Sequence, residues 1–178
     1  MSILRRRIWT AAFAALMVVG LSPAQGAGKS GRQTFLGQYG AWYAYQLMES
    51  GQRICYIVSK PTRSRGKYKK RGDIVVFVTH RPKAREKDVV NFQAGYTYKR
   101  GSKVTAKIDK KTFNLVTDRD AAWSRNARED KVFVAAMIRG STLVLKGKSK
   151  NNINTTDTYS LKGFTRARKR INRACKIK

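Results

Sequence analysis

The stretch that decides the fold is residues 89–115, VVNFQAGYTYKRGSKVTAKIDKKTFNL. Apolar and polar side chains alternate through its first ten residues, so that one face carries Val90, Phe92, Ala94, Tyr96 and Tyr98. A period of two is typical of β-strands that bury one face and expose the other. Short turns at residues 99–101 and 109–111 separate two further alternating runs. The pattern predicts three sequential strands in an antiparallel meander.

Further strands are indicated on the N-terminal side of this stretch. Aromatic and β-branched residues fill positions 41–48 and 52–59, and the Glu49-Ser50-Gly51 segment between them predicts a hairpin. Residues 73–81 are apolar on both faces through their middle, as expected of a central strand. Residues 61–72 contain a proline, two glycines and many cations, and we interpret them as a loop.

The C-terminal side predicts two helices. Asn126 as N-cap, Glu129 three residues later and Gly140 as a stop favour a helix near residues 127–139, although its run KVFVAAMI is also compatible with a strand. From Phe164 to Cys175, apolar residues recur at helical spacing and cations fill the other positions, which predicts an amphipathic helix.

Two more strands are indicated at residues 143–146 and 157–161. The expected fold class is therefore mainly β. We predict an antiparallel β-sandwich or barrel-like domain that also contains the short helix near 127–139 and the C-terminal amphipathic helix.

The N-terminus has the three parts of a cleavable signal peptide. Arg5-Arg6-Arg7 precede an uncharged apolar run at residues 8–21, and Ala24 and Gly26 suit cleavage after Gly26. An uncleaved membrane anchor is the weaker alternative, because a run of about 14 residues is shorter than the roughly 20 that a spanning helix needs. We expect a signal peptide at 1–26, a flexible lead-in at 27–34 and a single β-rich domain at 35–178. Its expected location is the periplasm, the outer membrane surface or the cell exterior.

The charge balance is strongly basic. The chain has 39 Lys and Arg residues against 10 Asp and Glu residues, a net charge of +29. Such an excess opposes compaction and favours a polyanionic partner. A hydrophobic content of 42% nevertheless argues against disorder, so we expect a folded cationic domain.

Cys55 and Cys175 are the two cysteines of the chain. An even number in an oxidising compartment favours a structural disulfide. Free thiols are one alternative and a metal or redox site is another. Two cysteines so far apart, with one histidine in the whole chain, make a poor set of metal ligands.

The sequence contains no recognisable active site. His80, the single histidine, has no evident orienting carboxylate, and we expect a structural or surface role for it. Asp118 and Asp120 are near enough to form a carboxylate pair, but a solvated turn fits them better. Walker, zinc-protease, GxSxG and deaminase signatures are absent from the sequence. We therefore expect no enzymatic activity, no cofactor and no metal.

Basic clusters are the better functional candidates, since phosphate and sulfate groups match guanidinium forks and ammonium groups. The clusters are a loop, two turns and the polar face of the C-terminal helix. The candidate anion-binding residues are Arg63, Arg65, Lys67, Lys69, Lys70 and Arg71 in the loop, Lys99, Arg100, Lys110 and Lys111 in the turns, and Arg166, Lys169, Arg170 and Arg173 in the helix. A solvated surface with an unusual charge bias is the alternative.

Several short segments, in order, carry a family resemblance. They include Gly40-Ala41-Trp42, Cys55-Tyr56-Ile57, the segment VFVTHRP at 76–82 and TTDTYSLKGF at 155–164, which runs into the basic helix. Over about residues 35–175 the chain resembles the invasion-associated locus B family of alphaproteobacterial exported proteins. The resemblance implies a β-sandwich-like domain in the periplasm or at the outer membrane, a link to host-cell invasion for some members, and no established catalytic residues.

Two functions from different classes follow. The first is a non-enzymatic envelope protein that binds an anionic envelope component or host glycan, with nucleic acid as a non-specific ligand only. The alternative is a protein-interaction or adhesion module that acts in invasion through an aromatic patch at Trp42, Tyr43 and Tyr45, three residues that core packing would also explain. An exported hydrolase or nuclease has only an affinity for nucleic acid in its favour.

Overall fold

A computed structural model describes residues 31–68 and 70–177. The strands are β1 (Arg32–Tyr39), β2 (Trp42–Glu49), β3 (Gln52–Ser59), β4 (Arg63–Arg65), β5 (Val75–Arg81), β6 (Glu86–Gln93), β7 (Val104–Ile108), β8 (Lys111–Asp118), β9 (Ala121–Trp123), β10 (Thr142–Lys148) and β11 (Asn154–Ser160). The helices are α1 (Ala127–Arg139), α2 (Phe164–Cys175) and a short 3-10 helix, Pro82–Ala84. The predicted signal peptide, residues 27–30 of the lead-in, Lys69 and Lys178 lie outside the described residues. Strand β1 begins three residues before the expected domain boundary at Phe35.

The strands form one antiparallel sheet in the order β1-β2-β3-β5-β6-β9-β8-β7-β10-β11-β4. Strand β8 belongs to both halves of this sheet, because its residues 111–115 pair with β7 and its residues 116–118 pair with β9. Within the described ranges no strand pairing joins β4 to β1, so the sheet is open. The prediction of a mainly β fold with two helices is confirmed, and the structure corresponds to an open sheet rather than a closed barrel.

The two halves of the sheet pack face to face around one core. Phe92 of β6 and Tyr159 of β11 meet at a ring distance of 6.2 Å, and the Trp42 indole of β2 donates a hydrogen bond to the Ser160 carbonyl. Burying a large apolar side chain contributes about 1.5–3 kcal/mol, so these side chains hold the halves together. No helix in the described part of the chain is long and apolar enough to cross a membrane.

Helix α1 forms where the capping pattern predicts it. The Asn126 side chain accepts a hydrogen bond from the Glu129 amide, and the Glu129 carboxylate accepts one from the Arg125 amide. Phe133 and Met137 are fully buried on one face, which explains why the KVFVAAMI run is a helix and not a strand.

Helix α2 follows Gly163, whose φ of 93° is in the left-handed region. A Cβ atom there would clash with the Tyr39 carbonyl oxygen, so the close approach requires glycine. Phe164 then packs against Trp42 at a ring distance of 5.0 Å and seats the helix on β1, β2 and β3. The prediction of a C-terminal amphipathic helix is confirmed.

The predicted meander is wrong in its first strand. The β7–β8 hairpin is present, but β6 ends at Gln93 and pairs with β9, which lies between β6 and β8. Gly95 breaks the alternating run, because its φ of 69° turns the chain out of the sheet. Tyr96 and Tyr98 follow this turn and are not strand residues, apart from an isolated bridge between Tyr98 and Ser149.

The basic segment at 61–72 is also only partly a loop. Its residues 63–65 form β4, which pairs with β11 at the edge of the sheet. The other strand predictions are confirmed. They are the hairpin of 41–48 and 52–59, the central strand at 75–81 and the strands near 143–146 and 157–161.

Candidate anion-binding face

Strand register places cations from three strands, β7, β10 and β4, on one side of the sheet, and β11 lies between β10 and β4. In one row of directly paired residues, Thr105 of β7 lies beside Lys146 of β10, followed by Thr156 of β11 and Arg65 of β4. Residues directly opposite each other on antiparallel strands project to the same face. All four side chains therefore lie on one face, and it is the outward one, because the alternate positions Ala106, Leu145 and Asp157 are buried.

A second row runs parallel to the first. It contains Lys107, Val144, Thr158 and Arg63, on the same four strands in the same order. Lys148 continues the alternation along β10, and Lys103 precedes β7 next to the buried Val104. We call the outward side of β7, β10, β11 and β4 the basic face, and its cations are Arg63, Arg65, Lys103, Lys107, Lys146 and Lys148.

The basic face carries no acidic side chain. Asp157 is the one acidic residue on its four strands, and this residue points inward with 1% of its surface exposed. Successive outward residues along a strand are about 6.6 Å apart and neighbouring strands are about 4.8 Å apart. At these separations the like charges repel one another and create a positive potential that an anionic ligand would relieve.

A depression of about 640 Å³ lies at one end of the basic face, where the turn at 99–102 meets β10 and β11. Its cationic lining residues are Lys99, Arg100, Lys103, Lys146 and Lys148. Asn154 and Thr156 add an amide and a hydroxyl to the lining. The Lys99 ammonium group donates a 2.6 Å hydrogen bond to the Asn152 side chain, which positions the turn.

The face is supported from below by a buried ion pair. The Arg71 guanidinium donates hydrogen bonds of 2.8 and 2.6 Å to the two carboxylate oxygens of Asp157, and its Nε donates to the Ala94 carbonyl. Its central carbon lies 4.8 Å from the Tyr96 ring centroid, and Tyr68 stacks on Tyr96 at 5.3 Å. Arg71, which the sequence predicts as an anion-binding residue, therefore fastens the 61–72 segment to β11, and its guanidinium group is paired with Asp157 beneath the basic face.

Burial alone would lower the pKa of Arg71, but its hydrogen bond to Asp157 and that residue's charge outweigh burial and raise it. Burial also raises the pKa values of Tyr98 and Tyr159, whose hydroxyl groups have no hydrogen-bond partner among residues 31–68 and 70–177. The tyrosines beneath the face consequently stay protonated and bring no negative charge to it.

In a comparison with family models, the model described as invasion associated locus B protein matches residues 42–172. The chain belongs to the invasion associated locus B family. The matched range includes every strand of the basic face, and it confirms the resemblance that the sequence indicated. Comparisons with curated proteins and with solved structures give no match.

This invasion associated locus B protein brings together only some of the predicted anion-binding residues. Arg63, Arg65, Lys99 and Arg100 lie on the basic face or in its depression. Lys67 and Lys70 are exposed in the 61–72 segment. The turn that contains Lys110 and Lys111 is at the opposite end of β7 from the depression, so the two predicted turns do not form one cluster.

The cations of helix α2 form a separate group. Arg166, Lys169 and Arg173 are exposed, whereas Arg170 is half-buried and its Nε donates a 3.4 Å hydrogen bond to the Leu36 carbonyl. The main contacts of α2 are with β1, β2, β3, β5 and α1, and none of these belongs to the basic face.

Sequence reasoning missed Lys103, Lys107, Lys146 and Lys148 as site residues. The sequence pattern that could have identified them is a lysine at alternate strand positions, with buried aliphatic residues at the positions between. Leu145, for example, is buried, and Lys146 and Lys148 lie on the other face of β10. The alternation predicts that each lysine faces outward. The alternation does not reveal that β7 and β10 are neighbours. These side chains form one face only because the sheet order places the two strands side by side.

The two cysteines of this family member form a disulfide between β3 and α2, as the sequence favoured. Among the described residues no group of three or more His, Cys, Asp or Glu side chains is placed to hold a metal ion. Asp118 ends β8 with an exposed side chain, and Asp120 is in the following turn, where it accepts a hydrogen bond from Gln93.

His80 anchors α2 from within the core. Its Nε2 lies 2.8 Å from the Asn172 side-chain oxygen, and its Nδ1 accepts a hydrogen bond from the Asp88 amide. Accepting at Nδ1 requires the neutral ring. Arg168 holds the Asp88 carboxylate by two hydrogen bonds of 2.7 and 2.6 Å. Burial lowers the pKa of His80, although the Asp88 charge and Asn172 oppose this shift.

This lowered pKa predicts that stability falls in acid. Because the unfolded chain binds a proton at His80 more readily than the folded chain does, the free energy of unfolding should decrease as pH falls below about 6.5. The charged groups facing His80 are Asp88, Arg168 and Lys87. Urea denaturation of wild type and His80→Gln between pH 8 and 5 would measure the effect. The variant should have the flatter profile, and parallel profiles would contradict the assignment.

Proposed function

We propose that this protein is a non-enzymatic exported protein that binds a polyanion of the cell envelope or a host glycan through its basic face. The observation that carries this proposal is the strand register, which places cations of β7, β10 and β4 and threonines of β11 on one face with no acidic side chain between them. The N-terminal sequence pattern supports export to the periplasm or the outer surface. Membership of the invasion associated locus B family is consistent with this proposal.

The ligand chemistry follows from the spacing and type of the cations. Arg63 and Arg65 offer planar guanidinium forks at the sheet edge, and Lys146 and Lys148 offer point charges along β10. An extended polymer that repeats phosphate or sulfate groups would contact several of them at once. Phosphorylated lipopolysaccharide, an anionic polymer associated with peptidoglycan and a sulfated host glycan share this chemistry, and nucleic acid would bind non-specifically.

Removing charge from the basic face should weaken polyanion binding. In the variant Lys103→Gln, Lys107→Gln, Lys146→Gln and Lys148→Gln we expect the affinity for dextran sulfate to fall by about 10- to 100-fold at moderate salt. The dependence of affinity on salt should also become shallower, because fewer counterions are released. Isothermal titration calorimetry across a salt series measures both quantities, and parallel titrations with lipopolysaccharide vesicles and with DNA distinguish the sources of the anionic groups.

A matched control removes four lysine charges elsewhere. Lys83, Lys131, Lys162 and Lys169 are exposed and lie outside the basic face, and Lys169 also tests the α2 cluster. With these four changed to Gln, the affinity should stay within about threefold of wild type. Equal losses in both variants would mean that net charge alone attracts the polymer, and the basic face would then have no special role.

An adhesion module that acts in host-cell invasion is the second candidate. The aromatic patch predicted for this module included Trp42, whose side chain is buried in the core. Tyr43, another of its residues, is 39% exposed. Attachment of the protein to host cells that survives the four changes in the basic face would favour this candidate.

A further inference from the structure

The outward side of the other half of the sheet carries a row of aromatic rings. Phe35 of β1 lies 5.4 Å from Tyr45 of β2, Tyr45 stacks on Tyr56 of β3 at 5.3 Å, and Tyr56 meets Phe77 of β5 at 6.0 Å. We call these four residues and Tyr43 the aromatic face. The rings cross four neighbouring strands, in the order in which the sheet arranges them.

These rings are on the opposite side of the strands from the core. The alternate positions Ala44, Cys55, Ile57 and Val78 are fully buried, and helix α2 packs on that inner side through the Cys55–Cys175 disulfide. Phe35 is 56% exposed. In the described part of the chain no helix covers the rings, and an uncovered group of large apolar side chains commonly marks a binding surface.

The aromatic face has few charged side chains although the protein is strongly basic, and those beside its depression are Glu49 and Arg81. Strands β2, β3 and β5 contain no lysine. Their two arginines are Arg53, which donates to the Ala174 carbonyl on the α2 side, and Arg81, which pairs with Glu86 at 2.8 Å. Strands β2, β3 and β5 therefore offer a polyanion no unpaired cation, and the net charge of +29 opposes the approach of a second copy of the chain.

Polar groups accompany the rings. Tyr56 and Phe77 line a shallow depression of about 460 Å³ together with Thr79, Asn91, Glu49 and the Glu86-paired Arg81. This volume is within the range of about 300–1,000 Å³ that is usual for ligand sites. Hydroxyl, amide and carboxylate groups beside flat apolar rings suit a ligand with apolar faces and a hydroxyl rim.

We propose that the aromatic face binds an uncharged oligosaccharide of pyranose units. The C–H groups on one face of a pyranose ring are apolar and slightly positive, and they stack on the negative π-face of an aromatic ring. The hydroxyl groups at the rim of the sugar can then exchange hydrogen bonds with Thr79, Asn91 and Glu49. This site is separate from the basic face and does not depend on the function proposed for it.

The test is a titration of the purified protein with cellohexaose, maltohexaose and a hexamer of N-acetylglucosamine. Isothermal titration calorimetry should detect binding of at least one of them, and the affinity should be insensitive to salt. Tyr56→Ala should weaken that binding about tenfold, and Tyr56→Phe should preserve it because the ring remains. If Tyr56→Ala lowers the thermal midpoint strongly, Phe35→Ala serves in its place, since that ring is largely exposed.

The control is the variant that lacks the four lysines of the basic face, which should bind the neutral sugar as wild type does. Failure to bind any of the three sugars would overturn the proposal, and so would an unchanged affinity in both alanine variants. If sedimentation shows a dimer of the wild type and a monomer of Tyr56→Ala, the aromatic face would instead be an interface with a second copy of the chain. The result of the dextran sulfate titration does not depend on the result with the neutral sugars. The proposals for the basic face and for the aromatic face can therefore fail separately.

Discussion

Reduction of the Cys55–Cys175 disulfide is expected to lower the free energy of unfolding by about 3–5 kcal/mol. The bond joins residues 120 positions apart, and cross-linking so long a loop strongly restricts the unfolded chain. A chain-entropy estimate gives about 5 kcal/mol for this separation, and typical measured values are about 2–4 kcal/mol. Both sulfur atoms lie in the core, so the bond also holds α2 against β3.

Guanidinium chloride denaturation of the oxidised and reduced protein measures this loss. The variant Cys55→Ala and Cys175→Ala should behave like the reduced wild type and should no longer respond to reductant. Coincident curves for the oxidised and reduced protein would contradict the expectation. Two titratable thiols in the denatured, unreduced protein would show that the bridge does not form.

Replacing Asp157 with Asn should destabilise the protein by about 3–5 kcal/mol, because it leaves the Arg71 charge partly buried without its counter-charge. The Asp157 side chain is 1% exposed and that of Arg71 is 11% exposed, so water cannot replace the lost partner. Asp157 lies between Thr156 and Thr158 on β11, and both threonines face outward, one in each of the two rows. Loss of the pair should therefore also loosen β4 and weaken binding of dextran sulfate.

A double-mutant cycle isolates the pair. Arg71→Met alone removes the cation and Asp157→Leu alone removes the anion, and each should be strongly destabilising. The variant with both changes should lose less than the sum of the two, because neither partner is then left unpaired. Denaturation midpoints and slopes of the four proteins supply the cycle. Additive losses would mean that the two side chains contribute independently.

Local pattern was enough to predict most individual elements. Period-two alternation located the strands, and the Asn126 cap with Glu129 located α1. These predictions depend on neighbouring residues only, and such short-range interactions are visible in a sequence. The disulfide was predicted on other grounds, from an even number of cysteines in an oxidising compartment.

Sheet order was the part that local pattern could not supply. The meander prediction was wrong because β9, and not β7, pairs with β6. Strand β9 is only three residues long, and nothing in Ala121–Trp123 marks it as a central strand. The basic face depends on the same long-range choice, since Lys107 and Arg63 share a row only through β10 and β11. Arg71 looked like its basic neighbours, and only its partner 86 residues away distinguishes it.

The disulfide between residues 55 and 175 also has a consequence for the response of the protein to proteolysis. The exposed segments most open to proteases that cleave after lysine or arginine include residues 61–68, the turn at 99–102 and the turn at 109–111. All of them lie inside the loop that the bond closes. A single cut at any of these places would leave both fragments covalently attached and still paired in the sheet. A molecule cut once in this way would keep its fold. On a denaturing gel it would migrate as one band without reductant and as two bands after reduction.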